Sequence, residues 1–221
     1  MTSPARASYL RKKAAQQTSA APLTRADLNL QQQMMAMLYD HKRSLKQIQS
    51  VAAKGVKKAE FIPEYVPYIK GVMAADSGLP DEVVTTIMLW CIDAGLIPEA
   101  LELAAYVLRH NLPLPEQFNR TANVAIAEEI ADLALKPKNP VTANDLVDLY
   151  ELIGSSDMPD QVRVKLEKAC GFGLKEVAPE RALEHFKRAL QLNDRSGVKN
   201  EIAALEKQLA EQANSAPNTG A

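Results

Sequence analysis

Aromatic residues are scarce in this sequence, at 5%, and its 221 positions hold only nine glycines and two cysteines. That scarcity sits beside abundant Ala, Leu, Glu and Lys, and the mix points to an all-α protein. Cys91 and Cys170 lie in separate apolar runs with no CxxC spacing, so they read as buried free thiols rather than a disulfide or metal ligands. No apolar run is long enough for a membrane span. The start, MTSPARASYLRKK, has no apolar core of a secretory signal, so a cytosolic protein is expected. A GxxxxGK[ST] phosphate loop is missing as well. His41, His110 and His185 fall on three different predicted helices, without ligand spacing. No metal, cofactor or catalytic constellation is therefore expected.

Acidic residues are nearly absent from one part of the chain. Residues 1–58 hold eleven Lys and Arg against two acids, Asp27 and Asp40, a formal +9, while the rest carries −10. Such asymmetry points to a basic segment that meets a polyanion, joined to an acidic body that does not. The cations are Arg6, Arg11, Lys12, Lys13, Arg25, Lys42, Arg43, Lys46, Lys54, Lys57 and Lys58. Lys and Arg gain affinity for nucleic acid by neutralising phosphates and releasing counterions. The alternative is a solvated helix face. Charge alone does not separate DNA from RNA or anionic lipid.

Residues 1–24 are rich in Ser, Thr, Ala and Gln and read as a flexible basic arm or frayed helix. Thr24 and Asp27 then signal a helix start. From Leu28 to about Ala59 there is no Pro and one Gly, so a long helix is expected. Met34, Leu38, His41, Leu45, Ile48 and Ala52 recur alternately four and three apart, a heptad seam. Two readings stay open: the seam packs on its own body, or it joins subunits. A turn at Gly55 could instead divide the region into a helix-turn-helix.

Pro63 and Pro67 read as punctuation before a series of short amphipathic helices. Asp81 and Glu82 after Pro80 suit a helix start, and Gly95 a helix end. Later helices are expected at about 99–110, 120–135, 143–153, 160–176, 180–192 and 198–212. Ala104, Ala105, Ala182 and Ala189 allow close helix crossings. Residues 63–212 thus read as helical hairpins, repeat-like but without a strict 34-residue period. Trp90 reads as core. The acids Glu128, Glu129 and Asp132 read as a surface face. Asp160, Lys165 and Glu167 superficially resemble a nuclease PD…ExK pattern, but MPD reads as a helix start and the strand context is missing.

TTIMLWCIDAGLIPEALELAAYVLRHNLPLP, SSDMPDQVRVKLEKACG and ALEHFKRALQLNDRSGVKNEIAALEKQL, after the start MTSPAR, carry a resemblance. In this order and spacing they resemble the small terminase subunit of temperate, contractile-tailed phages that package DNA from cohesive ends. That family is also called the terminase endonuclease subunit. Relatives can continue into a basic, Pro-rich tail where this chain reads EQANSAPNTGA, which puts more weight on the N-terminal basic region. The resemblance implies a protein of the host cytoplasm that binds double-stranded phage DNA at the packaging site. It also implies a homo-oligomeric ring and recruitment of the large terminase subunit, which holds the ATPase. The expected organisation is a flexible arm at 1–24, a DNA-binding and oligomerising region at 25–62, a helical body for the large subunit at 63–212, and a disordered tail at 213–221. The readings left beside it are a helical-repeat scaffold and a subunit with its own endonuclease activity.

Overall fold

The structure, a computed structural model, describes residues 4–17, 25–116 and 119–215. Among these residues it is all-α, as expected, with ten helices: α1 Pro4–Gln17, α2 Arg25–Lys46, α3 Val51–Ala75, α4 Glu82–Ala94, α5 Ile97–Arg109, α6 Ala122–Ala134, α7 Ala143–Ile153, α8 Asp160–Leu174, α9 Pro179–Leu192 and α10 Lys199–Ser215. Two compact units divide the chain, 1–122 and 123–221. They do not follow the boundary expected after residue 62, which falls inside α3. Thr24 and the last residues of the expected tail, 216–221, lie outside the described residues.

The first unit is built around α4, whose residues Val83 to Ile92 are all buried, Trp90 included. A helix apolar on every side must be enclosed by neighbours; α2, α3 and α5 enclose it. Each buried Val, Ile, Leu or Met contributes about 1.5–3 kcal/mol. Its ends are as the sequence signals. The Asp81 carboxylate accepts from the N–H groups of Val83 and Val84 at 2.8 and 3.3 Å. Gly95 closes the helix at φ 76°, a conformation that costs glycine nothing. Tyr68 of α3 donates its hydroxyl to Asp81 at 2.5 Å, so the buried cap is satisfied from both sides. Burial pushes the Asp81 carboxyl above its usual range, against the pull of that hydroxyl and the two N–H groups.

Three local expectations are corrected in this unit. The helix expected from 28 to 59 breaks at 47–50, where Ser50 caps α3 by accepting from the Ala53 N–H at 3.2 Å. Gly55 makes no turn. It lies within α3, and a Cβ there would stand 2.8 Å from the Asp93 carbonyl oxygen, so its bareness lets α3 approach the end of α4. Pro63 and Pro67 do not punctuate the chain either, because α3 runs through both. An interior proline costs a helix about 3 kcal/mol. The buried face of the same helix, Tyr65, Tyr68, Ile69 and Val72, offsets that cost.

In the second unit α8 packs on α7 and α9, and α9 on α10, with Ala182 and Ala189 buried at the close crossings. Thr142 and Asp145 form a reciprocal cap at the start of α7. A buried ionic knot ties α7, α8 and α9 together. Glu167 of α8 is 0% exposed and lies 2.7 Å from His185 Nδ1 and 3.4 Å from Arg188 Nε. The Tyr150 hydroxyl donates to it at 3.1 Å. Arg163 stands 4.0 Å from the same carboxylate and donates to the carbonyls of Gly154 and Ser156 at 2.8 and 2.6 Å. Cys91 in the first unit and Cys170 in the second are buried free thiols, each pushed up to about 12 chiefly by burial.

Candidate nucleic-acid interface

Four residues near the end of α2, Tyr39, Lys42, Arg43 and Lys46, recur at i, i+3, i+4 and i+7 and so share one face. Across the 47–50 turn, Lys54 and Lys58 stand one turn apart on α3. Together they line a cleft of about 560 Å³, with Leu45 and Trp90 among its walls. Both of these are buried, so the apolar part of the cleft is rigid core.

The cations of the cleft are not equivalent. Lys42 pairs with Glu82 at the start of α4, at 2.7 Å, and Lys58 pairs with Asp93 near its end. Arg43 pairs with Asp40 at 3.1 Å, where both side chains are exposed, and such surface pairs hold weakly. Lys46 and Lys54 have no acidic partner among the described residues. The shortage of acids within 1–58 therefore overstated the free charge of this face, because α4 supplies two of the compensating carboxylates. Outside the cleft, Lys57 pairs with Glu60 at 2.6 Å and lies over the Phe61 ring at 4.9 Å.

The other expected cations lie apart from this cleft. Within the segment expected as an arm, residues 4–17 form α1, which packs on α3, with Leu10 buried. Arg11 and Lys12 are exposed on it, and Lys13 lies over the Tyr9 ring at 5.4 Å. The side chains of Arg6 and Arg25 lie outside the described residues.

Of the six seam residues, Met34, Leu38 and Leu45 are buried within their own chain, as is Leu30 a turn earlier. His41 stacks on Phe61 with ring centres 3.7 Å apart, and its Nδ1 lies 2.8 Å from the Tyr65 hydroxyl. Burial holds its pKa below the ordinary value, against the pull of Glu64 and Asp40. Ile48 is half-buried in the turn, and Ala52 is exposed on α3, beyond the break.

The PD…ExK residues do not converge. Asp160 is exposed at the first turn of α8, and Lys165 reaches Glu128 and Asp132, both at 2.9 Å. Glu167 is enclosed in the ionic knot. Sequence reasoning missed that knot, because its members are up to 38 residues apart and carry no motif. It also missed Tyr39, whose spacing to Lys42, Arg43 and Lys46 was a readable signal.

The model of the phage small terminase subunit family matches residues 35–161, a span that includes α3, α4 and all the cleft-lining residues. Over 215 residues the chain is 39% identical to the terminase, endonuclease subunit, of Escherichia phage P2, covering 95% of this chain and 86% of that one. No solved structure matches it. No helix among the described residues is long and apolar enough to cross a membrane. A basic cleft on an all-α chain, and kinship extending over nearly its whole length, lead to one conclusion: the chain belongs to the phage small terminase subunit family and has its role in phage DNA packaging.

Proposed function

We propose that this chain binds double-stranded phage DNA through the α2–α3 cleft and recruits the large terminase subunit to it, in the host cytoplasm. The observation that supports this is the pair Lys46 and Lys54, two lysines lining one cleft from different helices, with no acidic partner among the described residues. Duplex phosphates would lie against the rim of the cleft, where each lysine that meets a phosphate releases counterions. The acidic remainder of the chain is offered to the large subunit, because like charge keeps it off the DNA.

The test is anisotropy of labelled duplex against a salt series. Replacing Lys46 and Lys54 together by Ala should weaken binding and lower the slope of log K on log salt by about 1.8. An unchanged slope would remove the cleft from the DNA surface. Assembly into a homo-oligomer belongs to the same proposal. Since Met34, Leu38 and Leu45 serve the interior of their own chain, we place the assembling surface elsewhere. Light scattering of the purified chain tests assembly; a monomer at every concentration would sink it.

The name of the phage P2 relative favours a second reading, an endonuclease acting in its own right. Incubating the purified chain with supercoiled DNA and divalent cations tests it. Cleavage that survives further purification would support that reading and demand a site other than Asp160, Lys165 and Glu167.

A further inference from the structure

Tyr39 is 69% exposed at the mouth of the basic cleft. A lone surface aromatic needs no explanation. This one has three features that ask for one. It shares its helix face with Lys42, Arg43 and Lys46, and it faces Lys54 and Lys58. The aromatic contacts around it join His41 to Phe61, and Phe61 and Tyr65 to Trp90, but leave Tyr39 out. Its hydroxyl has no hydrogen-bond partner among the described residues.

Size then discriminates between nucleic-acid forms. At about 560 Å³ the cleft is small beside a duplex, which is wider than its own ~12 Å major groove, so an intact duplex cannot be seated in it whole. A single nucleotide with its phosphate can. Aromatic rings beside cations are the standard means of holding unpaired bases, since every base has a face to stack and every phosphate a charge.

Resting on the reading that this cleft meets DNA, we infer that Tyr39 is a stacking platform for an unpaired base, so that the cleft takes single-stranded DNA at the end of a duplex in preference to uninterrupted duplex. Lys46 and Lys54 hold the flanking phosphates, and Trp90 closes the floor. The duplex itself remains at the rim.

The experiment compares a blunt duplex with the same duplex bearing a short single-stranded overhang, using the full chain and Tyr39→Ala, Tyr39→Phe and K46A/K54A. Wild type should prefer the overhang probe. Tyr39→Ala should weaken that probe by about fivefold or more and leave the blunt duplex within about twofold. Tyr39→Phe should retain the preference, since the ring stacks and the hydroxyl does not. K46A/K54A should weaken both probes. Equal wild-type affinity for the two probes, equal loss on both in Tyr39→Ala, or a Phe variant as damaged as the Ala variant would overturn the inference. If K46A/K54A fails on both probes while Tyr39→Ala behaves as wild type, the stacking platform falls alone. If K46A/K54A changes neither probe, the cleft reading falls and takes this inference with it.

Discussion

The α2–α3 cleft and the Glu167 knot both gather charge, and they do so to opposite ends. In the knot, a fully buried carboxylate is met by His185, Tyr150, Arg188 and Arg163, so nothing is left over for a partner. In the cleft, three cations are matched by acids, while Lys46 and Lys54 have no acidic partner among the described residues. A buried charge must be satisfied by its own chain or it destabilises the fold. An exposed charge keeps its hydration and is available to a ligand at little cost. The difference marks the first region as a surface for binding and the second as a clamp for the fold.

The comparison breaks first, and hardest, at Glu167. Glu167→Ala leaves His185, Tyr150 and two arginines facing an empty place, and should cost about 3–5 kcal/mol in urea denaturation followed by circular dichroism. DNA affinity per folded molecule should not change. A cost below about 1 kcal/mol would show that solvent reaches the knot, and the contrast with the cleft would lose its basis.

A smaller effect is expected where the cleft is held together. Gly55→Ala places a methyl against the Asp93 carbonyl oxygen and should push α3 from α4, at about 1–3 kcal/mol. Because α3 carries Lys54 across the cleft from Lys46, DNA affinity should fall along with stability. A variant as stable as wild type would mean that the two helices do not need this close approach.

His41 sharpens the comparison through pH. Its folded pKa lies below the unfolded value of 6.5, chiefly through burial, so the unfolded chain binds a proton that the folded chain resists. The sign follows: this contribution is present above 6.5 and is lost as pH falls below it. The neighbours Glu64, Asp40 and Lys57 modulate the shift. His41→Phe should flatten that part of the stability profile, read as the denaturation midpoint against pH. An unchanged slope would assign the acid sensitivity to other groups.

The smallest effect on stability belongs to the cleft lysines. K46A/K54A should leave the unfolding free energy within about 0.5 kcal/mol while lowering DNA affinity. A marked loss of stability would show that these lysines serve the fold after all.

Seven of the ten helices, from α4 onward, were legible in the sequence with ends within a few residues. Their punctuation is local: Asp81 and Gly95 bound α4, Pro98 opens α5, Thr142 caps α7, and Pro179 opens α9. The region before α4 was legible in its charge and misread in its joints. Pro63, Pro67 and Gly55 have strong local preferences that tertiary burial overrides. The seam at Met34, Leu38 and Leu45 has the same spacing whether its partner is its own chain or another.

The sequence by itself determined the helical class, the caps of the later helices and the concentration of positive charge before residue 58, because composition and capping act within a turn or two of chain. Tertiary structure decided which of those charges remain available. Lys42 meets a glutamate 40 residues onward and Lys58 an aspartate 35 residues onward. Neutralisation of that kind depends on proximity in space. The cleft in which Tyr39, Lys46 and Lys54 stand together forms where α2 and α3 pack on each other and on α4.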